Sequence, residues 1–259
     1  MNQPQRRVAV ILAAGQGKRM KSDLAKVLHP FAGRPMIDWV VDAARVAGCE
    51  RLHVVVGHGR AAVQAHLGKA VTYAVQERQL GTGDAARCGL APLPADWPDE
   101  AVVLVLCGDT PLLNGRRLAA LCDALAAGNA AAAVMTFRVD GPHAYGRVVR
   151  DPATGSVVRI VEDRDCTPEQ KAIAEVNSGV YAFRLGALKS ALGSLKNDNS
   201  QGEYYLTDCI GALTGAGRGV VGVVNPDASE VSGVNSPEEL ARLERVFRTR
   251  QTSHGEVRS

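Results

Sequence analysis

Two hydrophobic periods alternate along the chain. Short apolar runs at 8–13, 51–56, 71–75, 102–106 and 130–137 have the length and aliphatic content of buried strands. Between them, apolar residues recur at helical spacing over 36–47, 60–67, 82–90 and 116–126. Strand and helix in regular alternation predict an α/β fold, with a Rossmann-like, mainly parallel sheet and helices on both faces. From about residue 140 the rhythm changes. Segments 147–150 and 157–162 flank Asp151-Pro152-Ala153-Thr154-Gly155 and read as a hairpin with a longer loop. A strand follows at 176–183, then helices at 185–195 and 204–213 and a strand at 220–224. The stretch from about 140 to 215 is expected to form an antiparallel extension over the ligand edge of the sheet.

Near the C-terminus, Ser236 suits an N-cap, Pro237 the first helical position, and Glu239 completes a capping box. The last helix is therefore expected to run from there to about residue 250. Residues 1–7 read as a disordered lead and 251–259 as a disordered polar tail. No Pro/Gly/Ser linker interrupts 8–250, which reads as one domain.

Composition narrows the function classes. At 46% hydrophobic residues the chain can bury a sizeable core, and at 4% aromatic that core must be mostly Ala, Val and Leu. A net charge of +3 is too small to imply nucleic acid or an anionic membrane as partner. No run approaches the ~18–20 apolar residues of a membrane span. The N-terminal cations lead straight into the first strand without a cleavage-site pattern, so no signal peptide is expected. Cys49, Cys88, Cys107, Cys122, Cys166 and Cys209 show no C-x-x-C spacing, which argues against zinc and against a secreted disulfide framework. Free thiols in a reducing cytoplasm are the plain reading. The histidines are dispersed and carry no metal assignment.

The candidate chemistry begins where strand 8–13 opens into Ala14-Gly15-Gln16-Gly17-Lys18-Arg19-Met20. A buried strand feeding a glycine loop presents backbone N–H groups to phosphate. Arg19 after Lys18 excludes a Walker A loop, and Met20 in place of a third glycine excludes the dinucleotide fingerprint. Lys18 and Arg19 remain available for phosphate charge. A tight turn would explain the glycines alone.

Leu12-Ala13-Ala14-Gly15-x-Gly17-x-Arg19-Met20, followed by Ser22-Asp23-Leu24-x-Lys26-Val27-Leu28, resembles the signature of nucleotidyltransferases that activate sugar-1-phosphates. Within that group it is similar to the uridyltransferase part of bacterial N-acetylglucosamine-1-phosphate uridyltransferases. The resemblance spans roughly 8–250 and implies the nucleotide-diphospho-sugar transferase fold. It implies that Arg19 and Lys26 meet the phosphates and that the loop Leu12, Ala13, Ala14 and Gly15 lines the nucleotide site. It also implies that Asp109, in Leu106-Cys107-Gly108-Asp109-Thr110-Pro111, binds Mg²⁺ together with Asn235. A carboxylate and an amide oxygen are hard ligands suited to that ion. Otherwise Asp109 is an Asx-turn residue before Pro111, Asn235 a loop residue before a helix cap, and Lys26 a solvated lysine. Cys107 stands where the relatives carry Tyr, a departure beside the nucleotide and sugar contacts.

Gln76-Glu77-Arg78-Gln79-Leu80-Gly81-Thr82-Gly83 matches the family's uracil-reading element. Gln76 can offer donor and acceptor to a base edge, and Gly81-Thr82 permits close backbone approach; the alternative is a turn with Thr82 as N-cap. Gly146, Glu162 and Asn177 match the sugar pocket, although exposed Glu and Asn are usually just solvated. Gln201-Gly202-Glu203-Tyr204-Tyr205-Leu206-Thr207-Asp208 resembles a block packed beside it, its tyrosines structural.

The implied reaction is uridylyl transfer from UTP to N-acetylglucosamine-1-phosphate with Mg²⁺, giving UDP-N-acetylglucosamine and pyrophosphate in the cytoplasm, as a step toward peptidoglycan. Two alternatives stay open: another sugar-1-phosphate or nucleotide, or a non-catalytic nucleotide-sugar-binding regulator. In many relatives the polypeptide continues into an acetyltransferase β-helix of hexapeptide repeats. That pattern is absent from this sequence, so no acetyl transfer and a monomer or weak dimer are expected.

Overall fold

The computed structural model describes residues 5–141 and 143–255, and in it the first apolar run forms β1 (Arg7–Ala13). Ala9, Ile11 and Ala13 enter a core on one face of the sheet, Val8 and Val10 a core on the other. A strand buried on both faces needs apolar residues at both parities, hence the unbroken run. A small clip, β2 (Pro30–Phe31) with β3 (Arg34–Pro35), precedes α1 (Met36–Val46). Then come β4 (Arg51–Val56), α2 (Arg60–Leu67), β5 (Thr72–Val75), α3 (Thr82–Leu90), β6 (Val102–Cys107), α4 (Gly115–Ala127) and β7 (Ala132–Arg138). The second half adds β8 (Arg147–Arg150), β9 (Val157–Val161), α5 (Pro168–Lys171) and β10 (Glu175–Arg184). It closes with α6 (Leu185–Ser194), α7 (Asp208–Gly215), β11 (Val220–Val224) and α8 (Pro237–Gly255).

The sheet runs β11-β7-β10-β6-β1-β4-β5, with β8 and β9 attached at the start of β10. Its neighbours pair in parallel except at β10, which is antiparallel to both β6 and β7. Residues of α1, α2 and α4 fill the core on one face, and those of α3, α6 and α7 the core on the other. The fold is thus the mixed, mainly parallel α/β sheet of the nucleotide-diphospho-sugar transferases. No helix among the described residues is long and apolar enough to cross a membrane.

Several expectations need correction. The strand expected at 176–183 is not part of a covering extension; as β10 it sits inside the main sheet between β6 and β7. Its apolar residues at both parities, from Val180 to Phe183, fit a strand buried on both faces. The helix expected from 204 starts only at Asp208, because Tyr204 is instead paired with the Gln76–Gly83 segment and a turn at 206–207 follows. There Tyr204 N donates to Leu80 O at 2.8 Å, and Gly83 N donates to Tyr204 O at 2.7 Å. The expected lead is ordered from Gln5 on: Gln5 Nε2 donates to Glu100 O, Arg6 pairs with Glu50, and Arg7 opens β1. At the other end α8 continues through Gly255, so 251–255 is helix rather than disordered tail. Residues 1–4 and 256–259 lie outside the described residues.

A third apolar cluster ties the loops of the ligand edge together. Met20, Phe31, Met36, Val234 and Leu243 are buried in it, with Trp39 and Phe247 packed alongside. Phe31, Trp39 and Phe247 meet edge to face, with centroids 5.3–6.1 Å apart. One cluster therefore anchors the end of the glycine loop (Met20), helix α8 (Leu243) and the residue before Asn235 (Val234). Met20→Ala should lower unfolding free energy by about 2–5 kcal/mol in urea titration, as expected for truncating a buried methionine.

Candidate active site

The carboxyl ends of β1, β4, β5 and β6 converge because the strands are parallel, and loops follow each of them. A cleft of about 240 Å³ opens there. Leu12, Ala13, Ala14 and Gly15 form one wall, and Gln76, Gly81 and Thr82 another. Lys26, Cys107 and Asp109 complete it, with Gly108 between the last two. Gly108 N donates to Leu12 O at 2.9 Å, and an added Cβ at Gly108 would lie 3.1 Å from that oxygen. This close approach brings Asp109 level with the start of the glycine loop.

Three residues far apart in sequence meet in the cleft. Lys26 Nζ donates to Asp109 Oδ2 and, at 3.0 Å, to Asn235 Oδ1. Both side chains of the ion pair are largely buried, at 16% and 14% exposure. Asn235 reaches this point because Val234 N donates to Asp109 O at 2.9 Å while Val234 is buried in the third cluster. The expected capping box of α8 is present with a shift: Glu239 N donates to Ser236 Oγ, but the Glu239 carboxylate accepts from Asn235 N at 2.6 Å. Helix α8 thereby holds the backbone of the candidate ligand itself.

Asp109 and Asn235 fit a hard divalent cation. They offer one carboxylate and one amide oxygen, and both already face a positive charge, the Lys26 ammonium. Mg²⁺ is bound by few protein oxygens and keeps positions for water and substrate phosphate. Among the described residues no group of three or more His, Cys, Asp or Glu stands ready to hold a metal.

Gln76 is buried and its orientation is fixed by chemistry. Its Nε2 donates to Gly81 O at 3.1 Å and to Asp84 Oδ2 at 2.9 Å, both acceptors, so Oε1 is the atom left for a ligand. The expectation that Gln76 offers donor and acceptor is thus narrowed to acceptor only. Gly81 has φ +111°, and an added Cβ would fall 2.5 Å from Tyr204 O. Thr82 is not an N-cap; it is the first residue of α3, and its Oγ1 accepts from Leu206 N.

Gly146, Glu162 and Asn177 form a second group next to the cleft. Because β10 runs against its neighbours, its first residues reach the carboxyl end of β6. A register shift between Asn177 and Val180 then sets Gly179 against Cys107, with Sγ 3.8 Å from Gly179 O. Asn177 N donates to Gly146 O at 2.8 Å, and an added Cβ on Gly146 would stand 3.5 Å from Glu162 Oε2. Glu162 Oε1 accepts from Thr207 Oγ1 at 2.9 Å. Burial pushes the Glu162 carboxyl above its ordinary range, with Asp208, Asp165 and Asp163 adding to it against the Thr207 hydrogen bond. Burial likewise raises the Cys107 thiol to about 12, the Asp109 carboxylate adding to it, so Cys107 is a neutral wall rather than a nucleophile.

Arg19 is not gathered into either group. It is exposed on a short 3₁₀ turn, Lys18–Met20, outside the cleft wall. Conversely, sequence reasoning passed over several residues that shape the site. Gln79 Nε2 donates to Ala14 O and pins the glycine loop, Thr207 holds Glu162, and the Tyr145 ring beside Gly146 packs edge to face on Phe137. Gln79 and Thr207 lie inside the quoted motif strings, but nothing in a string says which atom they meet.

A profile of MobA-like NTP transferase domains matches residues 9–175, from β1 into β10. The chain belongs to the MobA-like NTP transferase family. Among its relatives, the bifunctional protein GlmU of Pelobacter propionicus is 47% identical over 244 residues, covering 93% of this chain and 52% of the relative. GlmU of Sorangium cellulosum is 49% identical over 253 residues (95% and 52%), and that of Streptomyces griseus 49% over 244 (93% and 50%). The chain thus spans about half the length of the curated relatives it matches.

Because Glu162 is harder to ionise folded than unfolded, its charge costs stability at neutral pH, and the cost vanishes as pH falls below the ordinary carboxyl range. Glu162→Gln, whose Oε1 can still accept from Thr207, should therefore raise the melting temperature at pH 7–8. Thermal scans should show that gain shrinking toward about pH 3, where wild-type Glu162 is protonated in both states.

Proposed function

We propose that the cleft transfers a uridylyl group from UTP to N-acetylglucosamine-1-phosphate, releasing pyrophosphate and UDP-N-acetylglucosamine. The observation that carries this reading is the Lys26 ammonium set between Asp109 and Asn235, in the same cleft as the glycine loop and Gln76. The GlmU relatives support the same assignment.

Asp109 and Asn235 are the residues that would hold Mg²⁺, which when bound neutralises and aligns the phosphates. The backbone of Leu12 to Gly15 lies along the triphosphate, and Lys26 and Arg19 offset charge that builds on the α-phosphate and the leaving pyrophosphate. Arg19, exposed outside the cleft wall, must fold inward to do so. Gln76 Oε1 accepts from the N–H of a uracil edge, while Gly81 and Thr82 bring backbone against the ring. Gly146, Glu162 and Asn177 contact the sugar through a backbone N–H, a carboxylate and an amide. The sugar phosphate oxygen is thereby aimed in line at the α-phosphorus. No protein nucleophile is required, because alignment and charge stabilisation can carry such a reaction.

A pyrophosphate-release assay over a panel of triphosphates and sugar phosphates tests the assignment. UTP with N-acetylglucosamine-1-phosphate should give the highest kcat/KM; a clear preference for dTTP or glucose-1-phosphate would move the assignment to another member of the same reaction class. In that assay Asp109→Ala should remove most activity and added Mg²⁺ should rescue it poorly. Asn235→Ala should act in the same direction but less severely, since a neutral amide contributes less than a carboxylate. Activity within a few-fold of wild type for Asp109→Ala would place the metal elsewhere.

A further inference from the structure

The two candidate metal ligands are both partnered by a cation that belongs to the chain. Lys26 Nζ bonds Asp109 Oδ2 and Asn235 Oδ1, and the ion pair is largely withdrawn from water. The stem of Lys26 is held in place. Ala25 and Val27 on either side of it are buried, and an added Cβ at Gly17 would come within 2.7 Å of Lys26 Cβ. The head group remains free to turn, since a lysine has four rotatable side-chain bonds and no planar fork to fix it. From that anchored stem it lies beside both the Asp109–Asn235 pair and the glycine loop, whose Gly15 lines the same cleft.

We infer that Lys26 is an internal counter-ion that fills the divalent-cation position until a nucleotide arrives. This rests on the reading of Asp109 and Asn235 as metal ligands. Without nucleotide, one ammonium and one carboxylate leave the site close to neutral, and a divalent ion can enter only by expelling Lys26 or by sitting against it. Both are unfavourable when little water screens the charges. A triphosphate changes the balance because its anionic oxygens give the ammonium a new partner over the glycine loop. Asp109 and Asn235 are then released to the metal that the nucleotide carries. The exchange makes metal and nucleotide bind together, and it places Lys26 on the phosphates just as charge stabilisation is needed.

The test measures Mn²⁺ binding to nucleotide-free protein, from the paramagnetic signal of free Mn²⁺, together with the melting temperature with and without Mn²⁺. If Lys26 blocks the site in all but a tenth of molecules or fewer, removing its charge should tighten Mn²⁺ binding by about tenfold or more. Lys26→Met and the uncharged but polar Lys26→Gln should both show this gain, and Mn²⁺ should raise their melting temperatures more than wild type's. Lys26→Arg, which keeps the charge, should stay close to wild type. Adding Asp109→Asn to Lys26→Gln should abolish the gain. If Lys26→Gln binds Mn²⁺ no more tightly than wild type while Asp109→Asn weakens binding, the exchange is overturned and the metal site stands. If Asp109→Asn leaves Mn²⁺ binding unchanged in every background, the metal lies elsewhere and both readings fall.

Discussion

One cation holds the ligand edge of this sheet together. The Lys26 ammonium joins a carboxylate at the end of β6 to an amide 209 residues further along the chain than Lys26 itself. Without a positive group at that point, Asp109 would be a largely buried charge with no partner, among the costlier arrangements a protein can adopt. The contact is possible because burial of Met20 and Val234 in one apolar cluster delivers the glycine loop and the Asn235 loop to the same place. Apolar packing does the positioning, and the charge takes advantage of it.

The second organising feature is the reversal at β10. A fully parallel sheet would bring only strand ends to the ligand edge. The antiparallel strand β10 brings a strand beginning there, and with it Asn177 and Gly179. Arg150 clamps the start of that strand through both oxygens of Glu175, and Arg147 ties the neighbouring loop to Asp163. Cys107, small and uncharged, lines the cleft and touches Gly179 O of β10 on its other side. A thiol in place of a phenol there leaves more room and one fewer strong hydrogen-bonding group.

Much of this was legible from residue order. The unbroken apolar runs marked the two-face-buried strands, and the Ser236-Pro237 pair marked the start of α8 to the residue. The family resemblance also brought together Lys26, Asp109 and Asn235 as candidates, and the structure puts the Lys26 ammonium within hydrogen-bond reach of both others. What was misread has a common cause. Residues 204–207 carry apolar residues, yet they stay outside the helix: the backbone of Tyr204 pairs with Leu80 and Gly83 across the fold, and 206–207 form a turn before Asp208. Segment 176–183 looks like any apolar strand, and its place in the sheet is set by which neighbours remain unpaired. Local pattern is blind to both.

Residue types and spacing by themselves determined the α/β class and the glycine loop at the end of a buried strand, and the family resemblance added the chemistry available: cations, two carboxylates, three amides and no nucleophile. Periodicity reports how each segment meets a core, and functional-group chemistry does not change on folding. Tertiary structure alone decided which partners those groups find. It spent both hydrogens of Gln76 on Gly81 and Asp84, raised Glu162 by burying it among carboxylates, left Arg19 outside, and put the Lys26 charge between Asp109 and Asn235. Those outcomes depend on distance and on exclusion of water, and both arise only when segments remote in sequence pack against each other.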